Sequence, residues 1–130
     1  MTDIMAELKP IGELFSAGRY RDVLVQLENV WDKVPSPKEA MLNSYLIISY
    51  GVAIAHKSGH LDKAWEWAQR GLPYSGKFNL AGESEFLVGE IAYARSDFET
   101  AIKYFNMVKK MSGYRLFKSK DPKFRRLIEK

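Results

Sequence analysis

At Gly18, Gly59 and Ser96 the chain passes through the same local pattern: a run with helical apolar spacing, a small turn residue, then a second helical run. This recurrence constrains the fold more tightly than composition does, because a lone helical hairpin cannot cover its own apolar face. Apolar positions keep a helical period almost throughout, and no sustained alternating segment reads as a strand. The expected fold class is all-α.

Asp3 is placed to cap a first helix that ends at Ala17, with Pro10 expected to kink it or delay its start. A second helix spans about Tyr20 to Val34, with Val23, Leu24, Leu27, Val30, Trp31 and Val34 on one broad stripe. Pro35-Ser36-Pro37 ends it, and Ser36 becomes the next N-cap, with Pro37 in the first helical position and Glu39 completing a capping box. This third helix runs to about Ser58, and a fourth from Leu61 to about Leu72. After the loop Pro73-Tyr74-Ser75-Gly76 a fifth helix starts near Asn79 or Leu80 and ends at Arg95. Asp97 caps a sixth, reaching Met111 before Gly113, and Asp121-Pro122 opens a short terminal helix through Ile128. Trp65 and Trp67 diverge by about 200° around the fourth helix, so one of them is expected near the surface. The chain reads as one domain, with hairpins at about 3–34, 37–72 and 79–112 and a cap at 121–129.

Aligned on the turns, the third unit carries Val88-Gly89-x2-Ala92, then Ser96-Asp97-Phe98-Glu99-Thr100-Ala101-x3-Phe105-x2-Val108. The second carries Gly51-Val52-x2-Ala55, then Ser58-Gly59-His60-Leu61-Asp62-Lys63-Ala64-x3-Ala68, and the first Pro10-Ile11-x2-Leu14 with Ala17-Gly18-Arg19-Tyr20-x2-Val23-x3-Leu27. Small residues at matched places let two antiparallel helices approach closely, and large ones fill the gaps between units. This pattern resembles the tetratricopeptide family, most closely at Asp97 to Phe105. The turns lie 41 and 37 residues apart, against about 34 in that family, and the first unit lacks the small residue and the Ala. The resemblance implies three stacked antiparallel hairpins in a right-handed array, closed by a short C-terminal capping helix. Phe124, Leu127 and Ile128 would cover the last hairpin while Lys123, Arg125, Arg126 and Lys130 face water.

Little in the chain points to chemistry. With no Cys there is no disulfide framework, thiolate site or Cys nucleophile, which suits a reducing compartment. His56 and His60 are four apart, but Gly59 between them breaks a shared helical face, no Glu-x-x-His grouping accompanies them and the nearby carboxylates are limited to Asp62 and Glu66, so no metal site is expected. Glu83, Glu85 and Glu90 read as exposed helical charge rather than an acid pair, because Glu85 and Glu90 point to different sides of one helix. No phosphate loop or nucleophile elbow appears, so neither an enzyme, a cofactor nor a small-molecule substrate is expected. Met1 to Glu7 lacks the basic-then-apolar order of a signal peptide, and Tyr45 to Ala55 is too short to span a bilayer. The expectation is a cytoplasmic protein with no membrane partner.

The expected activity is binding to another protein. Stacked hairpins curve, and the first helix of each lines the inner surface. That places Leu8, Gly12, Phe15 and Ser16, then Ser49, Ala53, His56 and Lys57 with Tyr45 and Tyr50 at the edge, then Phe86, Glu90 and Tyr93 in the candidate groove. The competing role for Phe15, Tyr50, Phe86 and Tyr93 is packing between helices. Only Lys57 is basic there, so a carboxylate clamp for chaperone tails is not supported. The stretch from Asp97 through Met111-Ser112-Gly113-Tyr114-Arg115-Leu116-Phe117 to Phe124 resembles small bacterial immunity proteins. That resemblance implies a partner in a secreted toxin domain, with a general adaptor or assembly chaperone as the alternative. A third reading rests on charge. Residues 1–102 hold 10 Lys/Arg and 14 Asp/Glu, whereas residues 103–130 hold 10 Lys/Arg against Asp121 and Glu129 alone. Lys109, Lys110, Arg115, Lys118, Lys120, Lys123, Arg125 and Arg126, interleaved with Tyr114, Phe117 and Phe124, have the composition for nucleic-acid stacking and phosphate contact.

Overall fold

The computed structural model describes residues 4–38, 42–77 and 80–129, with side chains from residue 9 and, after the first gap, from residue 44. Seven α-helices and short 3-10 turns account for the regular structure among these residues, and no strand occurs among them. The helices are α1 Ile4–Ser16, α2 Tyr20–Asp32, α3 Leu42–Lys57, α4 Leu61–Arg70, α5 Glu83–Ala94, α6 Phe98–Ser112 and α7 Pro122–Ile128. Two compact units result, residues 1–67 and 68–130. The expected caps at Asp3 and Glu39 and the start at Asn79 lie outside the described residues.

The three turns that aligned in the sequence share one geometry. Gly18, Gly59 and Ser96 all hold a left-handed backbone, with φ of 76°, 79° and 63°. In each, the next residue's N–H returns to a carbonyl five positions back: Arg19 to Leu14, His60 to Ala55 and Asp97 to Ala92. The turn residue itself donates three back, to Phe15, His56 and Tyr93. This paired bonding satisfies the last carbonyls of a helix and reverses the chain in two residues. Ser96 adopts it without the freedom glycine has, at some cost in strain. Asp97 then opens α6 by accepting from the Thr100 N–H at 3.2 Å. The Thr100 hydroxyl and N–H, with Arg95 nearby, hold its carboxyl below the ordinary range.

In the first unit, α2 buries Val23, Leu24, Leu27 and Val30, each contributing about 1.5–3 kcal/mol by removal from water. Its end is fixed by a device that helix periodicity does not reveal. The Lys38 ammonium donates to the carbonyls of Trp31 and Val34, both at 2.8 Å, while the Lys38 carbonyl accepts from the Ser44 hydroxyl. This folds the Pro35–Lys38 segment back on α2 and corrects the expected start of the third helix: Pro37 lies in a bend after a cis Ser36–Pro37 peptide. Pro10 lies inside α1, so that helix starts before it. Between α3 and α4, Gly51 faces the Trp67 indole so closely that an added Cβ would clash with its ring atoms. Trp67 is fully buried and meets Trp31 edge-on at 5.8 Å, while Trp65 is half-buried.

The second unit repeats the close approach with other residues. Gly89 on α5 faces the Phe105 ring of α6, and a Cβ there would stand 2.6 Å from Cε1. Around Phe105 gather Phe86, Phe117 and Phe124, with ring centroids 5.1, 5.6 and 5.5 Å away. As expected of a cap, α7 packs on α6 and buries Phe124 and Ile128 while Lys123 stays exposed. Helix α5 starts at Glu83, later than its composition implied, because Gly82 has φ 105° and no helix continues through that conformation. The Glu83 carboxylate instead caps the turn, accepting from the Ala81 N–H at 2.6 Å.

Candidate functional site

Five residues assigned to the inner surface converge in the first unit. Gly12 and Phe15 on α1 meet Tyr50, Ala53 and Lys57 on α3 around a pocket of about 360 Å³, with Ile11 and Ile54 also lining it. The spacing explains the convergence. Residues 11, 12 and 15 share one face of α1, and residues 50, 53, 54 and 57 share one face of α3. Gly12 has open space where a Cβ would sit, which leaves the mouth wide. Ile11 and Ile54 are buried at 5% and 6% exposure, whereas Phe15 and Tyr50 keep 36% and 41%. The two aromatics are thus only partly spent on packing: Phe15 meets Tyr20 at 5.5 Å, and the Lys57 ammonium lies 5.1 Å over the Phe15 ring. Lys57 is the one charged residue among the described lining residues. Ile11 and Ile54 were missed as site residues, although Ile11 lies one turn before Phe15 and Ile54 one turn after Tyr50.

Other assigned residues lie elsewhere. Ser49 donates its hydroxyl to the Tyr45 carbonyl one turn back, and both side chains are half-buried. His56 and Ser16 are exposed outside the pocket lining. His60 bonds the Ser58 hydroxyl through Nδ1 at 2.8 Å, and no group of three metal-ligating side chains occurs among the described residues. The Leu8 side chain lies outside the described set. A smaller cleft of about 190 Å³ between α2 and α4, lined by Arg21, Leu24, Val25, Glu28, His60, Lys63 and Trp67, has more charged side chains in its lining.

Two assignments in the second unit are corrected. Phe86 is not available to a partner, because it is 3% exposed and sits against Phe105, Phe117 and Phe124. Glu85 is not an exposed charge. It is 4% exposed, and its Oε1 is sealed without a hydrogen-bond partner, as is the neighbouring Ser84 Oγ. Both errors have one cause: α5 is buried on most of its circumference, so the surface rule for charges fails there. Tyr93 and Glu90 are half-buried, and Tyr93 packs on Phe98 and Phe124 at 5.1 and 5.2 Å.

The basic residues use the aromatics as supports. Lys109 lies over Tyr114, Lys120 over Phe86 and Lys123 over Tyr93 and Phe124. The Arg125 guanidinium sits 3.9 Å from the Tyr114 ring centre and pairs with Glu129. Arg115 reaches Glu83 at 4.0 Å, and Lys110, Lys118 and Arg126 are exposed. Because Phe117 and Phe124 are buried and Tyr114 is covered by its own cation, these rings do not form an open platform for base stacking. Among the described residues, no helix is long and apolar enough to cross a membrane. No known family model and no curated protein matches the chain.

Proposed function

We propose that this chain is a non-enzymatic protein-binding module and that the α1–α3 pocket is its docking site. The observation that carries the reading is an open apolar pocket with two partly exposed aromatics and one cation at its edge. Aromatic anchors in desolvated pockets dominate binding energy at protein interfaces, and a volume of this order takes a few side chains or one small molecule. The resemblance of the closing stretch to small bacterial immunity proteins narrows the proposal to binding and neutralising a cognate toxin in the cytoplasm. The absence of Cys suits that compartment. A general adaptor or assembly chaperone is the alternative, and it differs in having several weaker partners and giving no protection.

The test uses the product of the neighbouring reading frame. Co-expressed with it, the wild-type chain is expected to copurify at fixed stoichiometry and to protect the host. Ala53 is exposed at the pocket, so Ala53→Trp fills the site without entering the core. It is expected to weaken the complex by at least about 30-fold, the loss of about 2 kcal/mol typical of a hot spot. Undiminished binding and protection by the filled variant contradicts the pocket as the docking site.

A further inference from the structure

On α6 of the second unit, Lys103, Met107, Lys110 and Met111 fall at helical spacings of four, seven and eight and are all exposed, the two Met at 40% and 41%. They lie opposite the buried Ala101, Phe105 and Val108. A solvated helix face of ordinary composition mixes acids with bases, since like charges along a helix repel. Within α6 the one acid is Glu99, a turn before Lys103, and residues 103–130 contain only Asp121 and Glu129. Among the described residues, Lys109, Lys110, Lys118, Lys120, Lys123 and Arg126 have no carboxylate within ion-pair distance. The rings beneath some of these lysines leave their charge unneutralised, and the two thioethers keep 40% and 41% of their surface in water.

We infer that the Lys103–Met107–Lys110–Met111 row is a second interaction surface, shaped for an acidic amphipathic helix of another protein. Charge complementarity selects the occupant. The cations steer an acidic segment to the face, and the flexible Met side chains pack against its apolar positions. The helical spacing of the row matches a helix laid along it. A nucleic acid fits less well, because a phosphate backbone offers the Met side chains no apolar surface, and among the interleaved rings Phe117 and Phe124 are buried and Tyr114 is covered by Arg125. This surface stands independently of the α1–α3 pocket.

The probe is a synthetic helix of about 15 residues, long enough to span α6, with Leu on one stripe and Glu flanking it. Stopped-flow fluorescence follows its association with the full chain, alongside a single-stranded oligonucleotide at the same salt. Lys103→Glu with Lys110→Glu is expected to slow peptide association by about tenfold or more at low ionic strength, the difference shrinking as salt rises. Met107→Ser with Met111→Ser is expected to accelerate dissociation about fivefold or more while leaving association nearly unchanged. Circular dichroism checks that these surface variants keep their helices. Absence of peptide binding, wild-type kinetics in both variants, or tighter binding of the oligonucleotide overturns the inference. Ala53→Trp is expected to leave the peptide kinetics unchanged. Loss of peptide binding in that variant would also overturn the assignment to α6, while failure of toxin binding alone would count only against the pocket.

Discussion

Replacing Phe105 by Ala is expected to remove about 3–5 kcal/mol of folding stability, a large share of what a small domain has. Phe105 is fully buried and touches three other phenylalanine rings, drawn from α5, the Arg115–Phe117 turn and α7. Its removal leaves a cavity that none of them can fill, because each is already held against its neighbours. Urea denaturation should show a lower midpoint with little change in slope. Phe105→Leu keeps most of the volume and is expected to cost roughly half as much. A loss below about 1 kcal/mol for the Ala variant would mean the cluster is loosely packed.

Gly→Ala substitutions are expected to change sign with position. At Gly12, where a Cβ meets nothing within 4 Å, Ala removes backbone freedom from the unfolded chain and should stabilise by about 0.5–1 kcal/mol. At Gly51 and Gly89 the same methyl would clash with the Trp67 and Phe105 rings. The rings are large, buried and part of aromatic clusters, so they cannot swing aside without displacing others. Overpacking of this kind costs about 1–3 kcal/mol, enough to outweigh the helix-propensity gain. Thermal melts of the three single variants test this directly. A stabilised Gly51→Ala or Gly89→Ala variant would show that close approach is not what these glycines are for.

Much of this was legible because turns and small residues act locally. A left-handed turn residue after a helical run announces itself by residue type, and Gly18 and Gly59 did so. Ser96 was found only by alignment with them. Gly51 and Gly89 stood out because small residues recurred at matched distances from those turns. The α1–α3 pocket was largely visible for the same reason: once the turns were in register, Phe15, Tyr50, Ala53 and Lys57 fell on facing stripes. Failures came where local pattern carries no direction. Helix α5 is apolar around most of its surface, so periodicity does not distinguish the buried side of Phe86 from an open one, and it conceals Glu85. Leu80-Ala81-Gly82 looks helical by composition, and only the positive φ of Gly82 ends the matter. Lys38 gave no warning either, because a lysine reaching back to two carbonyls depends on the path of the chain between them.

Site-specific photo-crosslinking measures where a partner sits even when the partner has not been identified. Tyr50 is replaced by p-benzoylphenylalanine, which keeps an aromatic at the pocket edge, and Gln26, exposed on α2 outside the pocket lining, serves as the control position. Irradiation in cells is predicted to give one discrete protein adduct from position 50, none from position 26, and loss of the adduct when Ala53→Trp is added. Equal adducts from both positions, or an adduct from position 50 that survives the filled pocket, would contradict docking between α1 and α3.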